Sequence, residues 1–137
     1  WDTVLADSSE TYPIWHPWIA TDSAGGLYMI YADGFFSDRK ASVGRYNGSF
    51  FQVLGTTGIS ESTAKDTAIK INSEDIPYII YIDRGINYKT VVKRFYNNSW
   101  ENVGEGSVSN EGTDLASLAI NHNDVPYVAY TSNSDNH

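Results

Sequence analysis

A segment of eight residues occurs three times along this chain at nearly constant spacing. The three copies are residues 26–33, 76–83 and 125–132. Each copy contains two tyrosines separated by two residues, and the first tyrosines are Tyr28, Tyr78 and Tyr127, which lie 50 and then 49 residues apart. Self-similarity at a fixed period indicates an array of supersecondary units, and it has to be recognised before any local pattern is interpreted.

The middle unit predicts four short antiparallel strands. The predicted strands are residues 67–71, 77–82, 89–95 and 99–103. They are rich in β-branched and aromatic residues and are separated by polar turns. Residues 17–55 repeat the pattern upstream, with Asn47-Gly48 as a hairpin turn. No apolar period of 3.6 residues extends over a useful length, so the sequence predicts an all-β fold without helices.

The strand at residues 77–82 is apolar on both of its faces. Tyr78 and Ile80 point to one face, and Ile79 and Tyr81 point to the other. An antiparallel sheet with one face in water would alternate with polar residues. We therefore expect each four-stranded sheet to lie between two neighbours. A four-stranded repeat of about 49 residues that stacks face to face is typical of a β-propeller blade.

These patterns divide the chain into an incomplete run of blades. Residues 1–5 match the fourth strand of a blade, residues 17–55 and 66–104 are full blades, and residues 114–132 are the first half of another. Closed propellers contain about four to eight blades, so we expect an incomplete ring in this chain. We therefore expect part of a larger propeller or a subunit that completes a ring as a homo-oligomer.

Two segments carry a resemblance to a known family. Residues 117–130 look like the first hairpin of a β-propeller repeat that is common in secreted bacterial proteins, and Trp100–Gly104 looks like the strand that closes its blade. Tachylectin-like propellers show a looser similarity. The resemblance implies an extracellular or cell-surface propeller of a kind that often binds ligands. It says little about activity, because the shared motifs are packing residues.

The composition limits the partners and cofactors that we expect. The formal charge of −8 argues against nucleic acid, because phosphate binding needs clustered Lys and Arg. The chain has no cysteine and hence no zinc–thiolate site, and its three histidines lack the spacing of metal ligands, so we predict no metal and no cofactor. No apolar run approaches the roughly 20 residues of a membrane span, so we predict no membrane insertion.

The most unusual segment contains two tryptophans that the other units lack. It is Trp15–Trp18, where the other units have residues 65–68 and 113–116. In a propeller this segment shares one rim with the loop between strands two and three. The predicted aromatic rim residues are Trp15, His16, Trp18, Phe35 and Phe36. Exposed aromatics at this rim can stack on sugar rings or anchor a protein, but they can also cap the core beneath a long loop.

A second group of candidates lies at the end of strand two. Asp33 and Asp83 occupy matching positions, where the third copy has Ser132. The predicted polar rim residues are Asp33, Arg39, Asp83, Arg84 and Tyr88. These residues could bind a polar ligand, and a carboxylate pair can perform acid–base chemistry. Alternatively, each aspartate caps a turn or pairs with an arginine.

The sequence favours a non-catalytic extracellular binding module for glycans or proteins. The alternatives are a fragment of a glycoside-processing enzyme on a propeller fold, or a purely structural repeat module. The enzyme hypothesis requires two carboxylates that converge on a pocket. Of the Asp-box of sialidase-like propellers, only the tryptophan is present, at Trp100. We therefore expect no catalytic residue.

Overall fold

The computed structural model describes residues 14–34 and 37–133. These residues form ten strands: β1 (Ile14–Thr21), β2 (Leu27–Asp33), β3 (Lys40–Tyr46), β4 (Phe51–Val53), β5 (Ala64–Ile71), β6 (Pro77–Asp83), β7 (Lys89–Tyr96), β8 (Ser99–Asn102), β9 (Thr113–Ile120) and β10 (Pro126–Ser132). A 3₁₀ turn at Arg84–Ile86 is the one helical element of this part of the chain. None of these elements is a helix with the length and apolarity needed to cross a bilayer. The all-β prediction is confirmed, while the predicted strand at residues 1–5 lies outside the described residues.

The strands form two four-stranded antiparallel sheets and a two-stranded hairpin. β1–β4 make the first sheet, β5–β8 make the second sheet, and β9–β10 make the C-terminal hairpin. Neighbours within each sheet follow the sequence order, as predicted for the middle unit. The registers of the two sheets also match, since Tyr28 pairs with Arg45 as Tyr78 pairs with Arg94. Within the described residues the sheets do not close into a ring.

The first strand of each full sheet begins earlier than the sequence pattern predicts. β1 starts at Ile14 and β5 at Ala64, rather than at residues 17 and 67. In β5 the register passes from Lys65–Ile82 to Ala68–Ile80, so one extra residue forms a β-bulge. The bulge breaks the alternation of apolar residues, which conceals the start of the strand.

The register of the C-terminal hairpin corrects one alignment made from the sequence. Thr113 pairs with Ser132 as Ala64 pairs with Asp83. The residue equivalent to Lys65 is therefore Asp114 and not Thr113. The segment that matches residues 65–68 is 114–117.

The second sheet is buried on both faces, as predicted. Every residue of β6 is buried. Ile79 and Tyr81 pack against the first sheet, and Tyr78 and Ile80 pack against the C-terminal hairpin. Ile71 and Trp100 pack against the core but are only partly buried. Trp100 lies near the edge of the sheet, where its indole N–H donates to the Leu54 carbonyl at 2.9 Å.

Hydrogen bonds between turns join each sheet to the next. The hydroxyl and amide of Ser23 donate to the Asp75 carboxylate, both at 2.7 Å. Ser73 donates in the same way to Asp124, at 2.6 and 2.8 Å. We call this repeated pair of bonds the serine–aspartate clamp. The bonds from Ser23 lower the pKa of Asp75, and those from Ser73 lower the pKa of Asp124.

Candidate functional site

A cavity of about 300 Å³ lies between the first and second sheets, at the end where β2 and β6 finish. We call it the rim cavity. Its lining residues are Trp15, His16, Ala32, Arg39, Thr63, Ala64, Lys65, Arg84 and Tyr88. Five of these were predicted as binding residues from the sequence, and the fold brings these five together although they are spread over more than 70 positions: Trp15, His16, Arg39, Arg84 and Tyr88.

The β-bulge of β1 places Trp15 and His16 at the cavity. The register passes from Trp15–Ala32 to Trp18–Ile30, and His16 has a left-handed φ of 51°. The Thr67 hydroxyl of the second sheet donates a hydrogen bond to the His16 carbonyl. This bond fixes the bulge against the neighbouring sheet. The Trp15 side chain remains 41% exposed.

Two tight turns place Arg39 and Tyr88 at equivalent positions of the two sheets. Asp38 and Arg39 have φ values of 49° and 63°, and Asn87 and Tyr88 both have a φ of 59°. Consecutive left-handed residues are typical of type I′ turns, which prefer Asn, Asp and Gly. Arg39 and Tyr88 depart from that preference, and a left-handed residue other than Gly, Asn or Asp costs about 1–2 kcal/mol. Strained backbone of this kind is concentrated at functional sites.

Basic side chains stack on both aromatic rings of the cavity. The Arg39 guanidinium carbon lies 4.9 Å from the centre of the Trp15 ring. The Lys65 ammonium lies 5.4 Å and the Arg84 guanidinium 5.5 Å from the centre of the Tyr88 ring. Arg84 Nε also donates to the Tyr88 hydroxyl at 3.1 Å. These cation–π contacts and this hydrogen bond hold the rings and the charged groups in place.

The rim cavity is positively charged although the chain is acidic. Lys65 pairs with Asp114 at 3.4 Å, and hydrogen bonds from Asn133 and Lys65 lower the pKa of that carboxyl, so Asp114 stays ionised at neutral pH. Within the described part of the chain, neither Arg39 nor Arg84 forms an ion pair. Two uncompensated guanidinium groups therefore face one cavity.

The two aspartates of the predicted polar rim lie beneath the surface. Asp83 is 1% exposed, and its carboxylate accepts hydrogen bonds from the backbone amides of Glu61 at 2.7 Å, Gly85 at 2.8 Å and Ser62 at 3.1 Å. It thereby caps the 3₁₀ turn and anchors the linker between the sheets, as the turn-capping interpretation predicts. Asp33, at the matching end of β2, is also buried. Neither residue lines the rim cavity.

Within the described part of the chain, the remaining predicted aromatic residues do not line the rim cavity. Trp18 is 50% exposed and lines a different cavity, together with Asp66 and Lys70. Phe35 and Phe36 lie outside the described residues. Trp15 and Trp18 therefore line different cavities, although only two residues lie between them.

Two carboxylates line a smaller cavity of about 140 Å³. Glu61 and Asp83 line it together with Tyr81 and Lys93. Burial raises the pKa of Tyr81 and lowers the pKa of Lys93. Both Asp83 oxygens already accept backbone hydrogen bonds, so this carboxylate serves the structure of the loop. In the described ranges, no group of three or more His, Cys, Asp or Glu side chains has a metal-binding arrangement.

Sequence reasoning missed Lys65 and Thr63 as cavity residues. Lys65 occupies the position of the second sheet that Trp15 occupies in the first. The comparison of units revealed an additional tryptophan at this position, but the lysine in the neighbouring unit was not recognised as its partner. Equivalent positions of adjacent sheets lie side by side, so the position that matches Trp15 in the next unit could have pointed to Lys65.

No family model, no curated protein and no solved structure matches this chain. The residues of the rim cavity and their contacts are therefore the basis for a functional assignment.

Proposed function

We propose that the protein is a non-catalytic binding module of the β-propeller type and that the rim cavity is its glycan-binding site. The observation that carries the proposal is the pair of aromatic rings, Trp15 and Tyr88, that stand 41% and 39% exposed in one concave site. Rings held by stacked cations present a fixed apolar surface next to polar groups, which suits the mixed surface of a sugar. A volume of about 300 Å³ lies at the lower end of the range for small-ligand sites.

The blade assignment is supported by the repeat and by the stacking of the sheets. Each full sheet has four antiparallel strands in sequence order, and the second sheet is buried on both faces. The outer face of the C-terminal hairpin exposes the apolar side chains Leu115 and Tyr127. Exposed apolar side chains at this face are consistent with a further blade, from the same protein or from a second copy. We also propose an extracellular or cell-surface location, which the blade assignment implies.

A glycan suits this site better than a protein partner does. Stable protein–protein interfaces bury about 800 Å² on each side, usually around a central apolar patch. The rim cavity is instead small and concave, and it places charged groups directly against its two aromatic rings. The enzyme alternative is weakened because Asp83 is engaged by three backbone amides.

The proposal is tested with a glycan array and two matched tryptophan variants. Trp15→Ala removes a cavity ring, whereas Trp18→Ala removes a ring of similar exposure from the same strand outside the cavity. We expect the wild type to bind a defined set of glycans. Trp15→Ala should weaken this binding about fivefold or more, with little change in melting temperature, and Trp18→Ala should leave it unchanged. An array without hits for the wild type, or equal losses in both variants, would refute the proposal.

A further inference from the structure

We infer that the ligand of the rim cavity is an anionic glycan, namely a sugar that carries a carboxylate or a sulfate group. The inference rests on the proposed function and deepens it, because it names the chemical class of the sugar. It is carried by the contacts of the four arginines of the chain.

The four arginines divide into two compensated and two uncompensated residues. Arg45 pairs with Asp22 at 3.3 Å, and Arg94 pairs with Glu101 at 2.6 Å. Arg39 and Arg84 form no ion pair with a described residue, and both line the rim cavity. In a chain with 17 acidic and only 9 basic residues, local pairing partners are plentiful. Two unpaired guanidinium groups at one cavity therefore indicate a site for an anion.

Both guanidinium groups are held in place before a ligand binds. Arg39 stacks on Trp15, and Arg84 stacks on Tyr88 and donates Nε to the Tyr88 hydroxyl. This hydrogen bond leaves the two terminal amino groups of Arg84 available as donors. A planar guanidinium matches the geometry of a carboxylate or sulfate and forms strong paired hydrogen bonds with it. The stacking lowers the entropy lost on binding.

The acidic groups around the cavity do not cancel this charge. Asp114 is the acidic partner of Lys65, and Asp83 lies buried beneath the loop, where its oxygens accept backbone hydrogen bonds. Among the described residues, no Asp or Glu side chain lines the cavity. The two arginines therefore determine the local preference for an anion.

Matched pairs of sugars test the inference by calorimetric titration of the full chain. One pair is a galacturonate oligosaccharide and its uncharged methyl ester, and the other is a sulfated galactose oligosaccharide and its desulfated form. We expect at least one anionic member to bind about tenfold or more tightly than its neutral counterpart, since charged hydrogen bonds are worth about that much. The pair that shows the difference identifies the anionic group as a carboxylate or a sulfate.

Three arginine variants complete the test. Arg39→Gln and Arg84→Gln should each reduce the affinity for the anionic sugar about tenfold, and by clearly more than they reduce the affinity for the neutral sugar. Arg94→Gln removes the same charge and a similar ring contact, with Tyr96 at 5.1 Å, and should have no effect. Equal binding of charged and neutral sugars would overturn the inference but retain the proposed function. Failure to bind any sugar in these titrations or on the array would overturn both.

Discussion

Neighbouring residues of β6 provide a sharp test of burial on both faces of the second sheet. Ile79 and Ile80 are adjacent in the chain, have fully buried side chains and belong to different core clusters. Ile79→Ala opens a hole on the side of the first sheet, and Ile80→Ala opens one on the side of the C-terminal hairpin. In a sheet with one wet face, only one of the two substitutions would matter.

The expected magnitude follows from complete burial. Replacing a fully buried isoleucine by alanine lowers the free energy of unfolding by about 2–5 kcal/mol, through lost transfer free energy and the remaining cavity. We expect a loss of this size for each variant, which is a large part of the roughly 5–15 kcal/mol that stabilises a typical domain. Ile19→Ala is the matched control, because Ile19 is 60% exposed in β1, and its loss should stay below about 1 kcal/mol.

Urea titration measures these losses from the midpoint and the slope of unfolding. An unchanged slope shows that the variants differ from the wild type in stability and not in the surface exposed on unfolding. A loss below about 1 kcal/mol for either Ile79→Ala or Ile80→Ala would refute the reasoning, because that face of the sheet would then be accessible to water.

Two further predictions concern the loops. Asp83→Ala leaves three backbone amides without their acceptor and should lower the free energy of unfolding by about 3 kcal/mol or more, measured by urea titration; a loss near 0.5 kcal/mol would contradict the anchoring role. Ser73→Ala removes the hydroxyl bond, one of the two bonds that lower the pKa of Asp124 below its usual 3.8, and leaves the amide bond in place. The stability that the hydroxyl bond contributes is therefore present above about pH 4 and is lost as the pH falls through the folded-state pKa. The variant should be less stable than the wild type at about pH 6, and the difference should shrink towards about pH 2.5; a difference that stays constant would exclude the linkage.

The strands and their stacking were predictable because both depend on local patterns. The uninterrupted apolar run at residues 77–82 already indicates two apolar faces, and the recurrence of Tyr28, Tyr78 and Tyr127 aligns the units. The β-bulges were not predictable from alternation, since Lys65 and Asp66 interrupt it inside a strand that continues. Strand ends were therefore less accurate than strand centres.

The candidate site was predictable as a set of residues but not as an arrangement. Arg39, Arg84 and Tyr88 were selected because they follow the ends of equivalent strands. Their stacking depends on left-handed turns that contain Arg and Tyr, which no turn preference predicts. The burial of Asp83 depends on amides more than 20 residues away in the chain, so the sequence left its two interpretations open.

The serine–aspartate clamp has a consequence for the construction of longer proteins from this sequence. The turn of the second sheet contains both partners, because Asp75 accepts from the preceding unit and Ser73 donates to the following one. The flanking turns have Gly25 in place of the aspartate and His122 in place of the serine. Residues 64–112 are thus a self-compatible module: a gene that encodes them in tandem would supply a donor and an acceptor at every internal joint, whereas tandem copies of either neighbour would lack one of the two.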